Sequence, residues 1–404
     1  MLVLLIFILT YIGVAFGRIP ALTLDRTGIA LLGAIAMLLL GSITLNQPIG
    51  AIDFPTLLLL YGLMILSAQL RLGGFYTWVA RRITIFLKRP GLFLGVVMIT
   101  SALFSAILAN DIVCIAFTPV LCVSLIRSGL NPVPFLIGLA ISSNIGSAST
   151  IIGNPQNMLI GQMGHLDFGE FLYWCLPPSL VSMAGSYGII RILYGDGFFN
   201  PEKLIRNEIN EDWPELDKWQ SIKGLLATIL LMVLFFTPLK REISAIGIAG
   251  MLLCSRRMKS REIMQMVDWH LITLFCALFI IIQGINIEHM PDLIMNYLNK
   301  KGIDPENLYI LTAVSTILSN LVSNVPSSML LLRFLDPSNH VQYYTLAISS
   351  TFAGNLITIG SIANLIVIEH AGNYGINIGF REHARTGIPV TLFSIFILIV
   401  WIWI

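Results

Sequence analysis

The chain has 404 residues, 56% of them hydrophobic and only 11% charged, a formal net charge of +2 and a mean hydropathy of +0.83. Soluble domains carry nearer a quarter charged residues, so this composition places the chain in a bilayer and excludes a disordered chain, a secreted disulfide scaffold and a binder of nucleic-acid backbones. The five cysteines, Cys114, Cys122, Cys175, Cys254 and Cys276, form no C-x-x-C pair and read as free thiols filling apolar space.

A crossing helix needs roughly 20 mostly apolar residues. In chain order the spans fall near Leu2–Gly17, Thr27–Leu45, Phe54–Leu70, Ile141–Met163, Phe171–Tyr194, Ile222–Leu239, Ile243–Cys254, Trp269–Ile287, Val341–Ile368 and Gly387–Trp403. The first span lacks the basic flank of a secretory signal and is kept as a crossing. Two further apolar stretches, 91–126 and 308–332, are too long for one crossing and carry polar residues at their centres. Each reads as a re-entrant hairpin, allowed only where its tip is buried in protein or faces water. The fold class is therefore an all-α membrane protein with about ten transmembrane helices and two hairpins. A hydrophilic linker, 196–220, divides a first unit, 1–195, from a second, 221–404.

Basic loops stay in the cytoplasm. Arg71, Arg81, Arg82, Lys88 and Arg89 mark one such loop, and Arg256, Arg257, Lys259 and Arg261 another, while Lys300 and Lys301 fall outside. If the hairpins do not cross, each half crosses five times, the halves are inverted, and both termini lie outside.

The sequence repeats. Asp53-Phe54 returns as Asp268-Trp269, 215 residues on; Ser105-Ala106-Ile107-Leu108-Ala109-Asn110 aligns with Ser319-Asn320-Leu321-Val322-Ser323-Asn324; Ile152-Gly153-Asn154-Pro155-Gln156-Asn157 aligns with Ile359-Gly360-Ser361-Ile362-Ala363-Asn364. Inverted repeats with interrupted helices characterise secondary transporters, which bind cargo where the helices break.

The run from Ser142 to Thr150, including Asn144, Gly146 and Ser147, precedes Gly153-Asn154-Pro155, with Asn157 following. Small hydroxyl residues, glycines and a proline at mid-span predict an unwound segment whose carbonyls suit a cation and whose new N-terminus suits an anion. Ser349-Ser350-Thr351, Gly354, Asn355, Gly360 and Asn364 repeat the pattern. For one such run tight helix packing is the better explanation; two matched runs, each beside a hairpin, point to a binding site. The tips, Ala109-Asn110-Asp111 and Ser323-Asn324-Val325, offer an Asn that caps a half-helix or ligates a cation, a plain turn being the alternative. Asp111 is the single acidic residue in either hairpin. A carboxylate at mid-bilayer costs roughly 2.5–3.5 kcal/mol, which marks it as a proton-coupling group, with a helix cap as the plainer role. No Lys or Arg occurs in 91–126, 128–164, 307–332 or 341–368, so an anionic cargo lacks a fixed cation and a neutral, hydroxyl-rich cargo fits at least as well. The histidines read as surface or interfacial, His165, His289, His340, His370 and His383 in loops and His270 at a span start, with no metal-ligand spacing. No nucleotide loop or nucleophile motif is present, so the chain reads as a non-enzyme, and an ATP-driven mode would need a separate ATPase subunit.

Asn-Ile-Gly-x-x-x-x-x-Ile-Gly-x-Pro-x-Asn at 144–157 and Ile-Gly-x-x-x-Asn at 359–364 resemble the ion transporter superfamily, which includes citrate transporter-like proteins, divalent anion/sodium symporters, arsenite efflux pumps and some sodium/proton antiporters. Ala109-Asn110-Asp111 with Thr118-Pro119 is similar to the arsenite pump and anion permease branch, whereas the carboxylate symporters carry a Ser-Asn-Thr tip that only Ser323-Asn324 retains in part. The resemblance implies a cation or proton locus at Ser105, Ala109, Asn110 and the break from Gly146 to Gly153. It implies a mate at Ser319, Val322, Asn324 and the break at Ala353-Gly354. It further implies no cofactor beyond a coupling Na+ or H+, a homodimer, and a hairpin-bearing domain moving against a scaffold in the inner membrane of a prokaryote. The expected activity is arsenite efflux by proton exchange. The alternatives are cation-coupled import of sulfate, phosphate or a carboxylate, sodium/proton exchange, a channel, or a receptor.

Overall fold

The computed structural model describes residues 2–17, 23–40, 50–198, 213–301, 304 and 306–404. The end of the second expected span (41–45) and most of the expected linker (199–212) lie outside the described residues. Among the described residues the structure is helical. The first half runs α1 (Leu2–Phe16), α2 (Arg26–Leu40), α3 (Phe54–Leu72), α4 (Phe75–Ile83), α5 (Pro90–Ile107), α6 (Asn110–Arg127), α7 (Val133–Ser147), α8 (Pro155–Met163) and α9 (Phe168–Tyr194). The second runs α10 (Lys218–Phe235), α11 (Arg241–Leu253), α12 (Ser260–Gln265), α13 (Trp269–Ile287), α14 (Met290–Lys300), α15 (Leu308–Val322), α16 (Asn324–Leu331), α17 (His340–Ala353), α18 (Ile362–Gly372) and α19 (Phe380–Trp403). Apart from the short α12, one order of elements occurs twice.

Local chemistry sets the boundaries. Asp53 and Asp268 cap α3 and α13, accepting from Thr56 N and Leu271 N, with backbone angles of −77°/86° and −78°/85°. Matched caps at matched sequence positions give two helices that enter in the same way. Asn154 caps α8 by accepting from Asn157 N, with Pro155 in its first turn, and Ser361 caps α18 by accepting from Ala363 N.

The packing has two parts. Helices α1, α2, α3, α10, α11 and α13 form one group, in which α3 packs on α11 and α2 on α13, so the halves interlock. Helices α5 to α9 form a second group with α15 to α19, where α5 lies on α7, α15 on α17, α9 on α19 and α18 on α6. Many large apolar side chains of α1, α2, α10 and α11 face outward, including Leu9 at 60% and Leu226 at 62% exposure. In a bilayer these are lipid-facing surfaces.

Several expectations are revised. The histidines His340, His370 and His383 are helical, and His383 is 1% exposed. A histidine among polar residues near a helix end resembles a loop residue by composition alone. Cys254 is exposed and Cys276 half-buried, so only Cys114, Cys122 and Cys175 fill apolar space. The first interrupted helix begins at Val133, eight residues before the expected Ile141, because Asn131-Pro132 starts it. It stays helical through Gly146, whose Cβ-sized space is taken by the backbone of Ala102 at 2.4 Å. Gly146 is therefore a close-packing position of α7 against α5, and the unwound stretch is confined to 148–154. The linker ends where Asp217 caps α10, three residues early. Each arm of the first hairpin has 18 residues, about 27 Å, and is long and apolar enough to cross by itself. Those of the second have 15 and 8. Amphipathic helices α4 and α14, absent from the sequence reading, precede both hairpins.

Candidate functional site

Four helices end where four others begin. Helix α5 ends just before the first tip and α6 starts at Asn110; α7 ends at Ser147 and α8 starts at Pro155; α15 and α16 meet at Ser323; α17 ends at Ala353 and α18 starts at Ile362. Carbonyl ends and N–H ends thus converge, each leaving backbone groups to be satisfied.

Asparagines do most of this. Asn157 Nδ2 donates to Ser147 O at 3.2 Å and Thr150 O at 3.0 Å, closing the first break. Its mate Asn364 Nδ2 donates to Gly354 O at 2.7 Å and Ile357 O at 3.2 Å, closing the second. Asn144 joins the halves: its Nδ2 donates to Asn355 Oδ1 at 2.8 Å and Asn364 Oδ1 at 3.3 Å, while its Oδ1 accepts from Ser361 Oγ at 2.9 Å and Asn110 Nδ2 at 3.4 Å. A second crossing knot is Thr351, whose hydroxyl receives Asn154 Nδ2 and Gln156 Nε2, each at 3.3 Å.

The tips lean on the breaks. Asn110 N donates to Gly153 O at 3.3 Å, and Ser143 Oγ donates to Asn110 O at 3.2 Å. In the orientation that satisfies its neighbours, the Asn324 amide nitrogen donates to Ser350 O and Gly360 O, each at 3.2 Å. Gly153 is required here, since a Cβ would lie 2.2 Å from Ser147 O. Hydroxyl pairs repeat between the halves: Ser101 with Ser142, and Ser315 with Ser349 at 2.5 Å. Ser105 pairs with Ser143 at 2.8 Å, but its mate Ser319 has no hydrogen-bond partner among the described residues. Ala109 and Val322 flank the tips with apolar side chains, and Ser323 takes φ +78° with ψ 159°. That backbone region is otherwise reserved for glycine and costs of order 1–3 kcal/mol.

Among the described residues several buried polar atoms near the tips and breaks have no hydrogen-bond partner, Asn110 Oδ1, Asn320 Oδ1 and Asn355 Nδ2 among them. Buried polar groups are normally satisfied, so these atoms keep unused hydrogen-bonding capacity. Asp111 lies in the first turn of α6, half-buried, and accepts no hydrogen bond among the described residues. The helix has no side-chain cap, so Asp111 is not acting as one. Its charged neighbour is Asp268, the cap of α13.

The sequence reading placed Asn144, Asn157, Thr351, Asn355 and Asn364 near the breaks, and the structure joins them in one network. Asn154, Gln156 and Ser361, named only as part of the break and the repeat, and His383, expected in a loop, belong to it as well. His383 Nε2 lies 3.2 Å from Asn355 O and 3.5 Å from Asn364 Nδ2, with Gly387 one turn on admitting the Asn355 carbonyl to 2.2 Å from where a Cβ would sit. The signal for it was present as a fourth repeat: Phe168-Gly169-Glu170 with Pro177 matches Phe380-Arg381-Glu382 with Pro389, placing His383 where the first half has Phe171.

A family model described as a citrate transporter matches residues 2–343. The chain is 30% identical to the inner membrane protein YbiR of Escherichia coli, covering 85% of this chain and 86% of that one. It is 26% identical to the silicon efflux transporter LSI3 of Oryza sativa subsp. japonica, covering 93% and 92%. Among solved structures, MtrF of Neisseria gonorrhoeae, from a class of antimetabolite efflux pumps, shares the fold with a TM-score of 0.63 over 100% of this chain and 94% of its own, at 14% identity. With its apolar helices, paired hairpins and bridged breaks, the chain is an integral membrane transporter, not an enzyme, and belongs to the citrate transporter family of the ion transporter superfamily.

Proposed function

We propose that this transporter carries a small, uncharged, hydroxyl-bearing metalloid such as arsenous or silicic acid outward in exchange for protons. The carrying observation is the lining: the converging helix ends present amides, hydroxyls and carbonyls, and neither hairpin tip nor either break contributes a Lys or Arg. A dicarboxylate entering this site would leave its charges unpaired in low dielectric, which is expensive, whereas arsenous and silicic acids keep their protons near neutral pH and match donors and acceptors alike. The relative named for silicon efflux and the arsenite-branch resemblance of Ala109-Asn110-Asp111 support the same class.

In this reading Asp111 is the proton carrier, positioned by α6 with no competing hydrogen bond among the described residues. The residues that contact cargo or a coupling ion are Asn110, Asn144 and Asn355 together with the free oxygens near Ser319 and Asn320. The two halves are inverted and the hairpins enter from opposite faces. Residues α5 to α9 and α15 to α19 move as one body against the remaining scaffold. Both termini lie outside, two chains form a dimer, and the membrane is the inner membrane of a prokaryote, as the name of the Escherichia coli relative also suggests.

Counterflow in proteoliposomes tests the cargo. Vesicles loaded with arsenite should accumulate labelled arsenite, and silicic acid should compete; an imposed pH gradient should drive the flux. Counterflow confined to citrate, succinate or sulfate would overturn the cargo class, and drive by sodium alone would remove Asp111 from its role. Asp111→Asn should keep cargo-for-cargo exchange while losing the response to the pH gradient.

A further inference from the structure

Helix α11 opens with Arg241, and its repeat mate α2 opens with Arg26. The two guanidinium groups are in different situations. Arg241 donates to Leu166 O at 2.6 Å, to Gly161 O at 3.0 Å and to Gln162 Oε1 at 3.4 Å, so it holds the C-terminal end of α8. Gln162 Nε2 in turn donates to Glu242 Oε2 at 3.3 Å. This cluster joins the two packing groups, because α11 belongs to the interlocked set and α8 to the hairpin-bearing one. Arg26 makes no hydrogen bond among the described residues; its side chain lies beside Gly17.

The end of α18, which is the repeat mate of the end of α8, has the same backbone form. Leu166 N donates to Gly161 O across five residues, and Ile376 N donates to Ala371 O across five residues, with a left-handed residue just before each, His165 at φ +49° and Gly375 at φ +74°. The two backbone acceptors for an arginine are therefore built twice, with Gly372 in the position of Gln162. One copy is covered and occupied; in the other Gly372, Asn373 and Gly375 are exposed. The same imbalance extends to the helices: α8 packs against α3, whereas α18 and α13 make at most marginal contact.

We infer that Arg241 and Arg26 are alternating positioning residues: Arg241 fixes the end of α8 in one orientation of the transporter, and Arg26 takes the carbonyls at the end of α18 in the opposite one. Each arginine leaves its acceptors to water when the other engages. Charge-assisted hydrogen bonds to backbone carbonyls are stronger than neutral ones, so the latch gives each end state a discrete resting position with no cargo bound. The inference rests on the alternating-access reading above.

The test is a pair of spin-label distances in nanodiscs, with Cys254 and Cys276 replaced by serine. Labels at Ile243 and Tyr173 report α11 against α9, and labels at Leu31 and Phe380 report α2 against α19. The unmodified latch should give two distances for each pair. Arg241→Gln should reduce the ratio of short to long separations for the first pair about tenfold and enrich the short separation of the second. Arg26→Gln should do the reverse, and the double variant should return toward the parent distribution. A merely structural arginine would lower the melting temperature and leave these ratios in place. Two distances that respond in the same direction, or not at all, would overturn the latch while leaving alternating access intact. A single distance under every condition would remove both.

Discussion

At the first break Asn157 ties the carbonyls of Ser147 and Thr150, and the matching sequence position on α9 is Phe171; at the second, Asn364 ties Gly354 and Ile357 and is itself approached by His383 from α19. The first tip turns through Ala109 with ordinary extended backbone, whereas the second turns through Ser323 in a glycine-like conformation. The repeated parts are those that close a broken helix, an Asn reaching back to orphan carbonyls. The parts that differ are those able to distinguish two loci: an ionisable ring, an acidic group at one tip only, and local strain at the other. Repetition supplies the frame, and departures from it supply direction.

The largest effect should come from the residue shared by both breaks. Asn144→Ala removes partners from Asn110, Asn355, Asn364 and Ser361 at once. At about 1–3 kcal/mol for a buried group left unpaired, it should abolish counterflow and lower the melting temperature by several degrees. Retained transport would mean that the two breaks work separately.

Next is Gly387→Ala. Its new methyl would meet Asn355 O at 2.2 Å, pushing α19 off the second break only. Transport should fall at least tenfold, with the protein still folded by circular dichroism. An unaffected rate would show that α19 does not hold the second break in its working shape. His383→Phe, which copies the first half, should cost less, about 1 kcal/mol of stability and a few-fold in rate. A larger loss than Gly387→Ala causes would make the ring a direct cargo contact.

The smallest expected change is a gain. Ser323→Gly relieves the strained tip and should raise stability by about 1 kcal/mol, read as a higher melting temperature, together with a change in transport rate. A lower melting temperature would show that the serine side chain stabilises the tip by more than its backbone costs.

The fold was legible to the extent that it depends on hydropathy and caps. Asp53 and Asp268 announced matched helices because an Asp before an apolar run satisfies N–H groups, and the spans follow from their length. Amphipathic α4 and α14 were hidden because a short helix with few apolar residues gives no crossing signal. At the site, Asn144, Asn157 and Asn364 were visible as polar residues where polarity is costly. Gly146 was misjudged because a glycine that breaks a helix and one that lets two helices touch look alike in sequence; only the Ala102 backbone at 2.4 Å separates the two. His383 is harder to read because its partner is the Asn355 carbonyl, 28 residues away along the chain; the fourth repeat marks its position but not the contact with another helix's end.

The most direct test of the central claim, that a lining without Lys or Arg takes an uncharged cargo, is arsenite efflux from proteoliposomes as the internal pH is raised through the ionisation of arsenous acid, with the pH difference across the membrane held constant. The account predicts an efflux that follows the neutral fraction, falling as the acid loses its proton, with arsenate and citrate neither carried nor inhibitory. An efflux that grows with the anion, or competition by citrate, would contradict it.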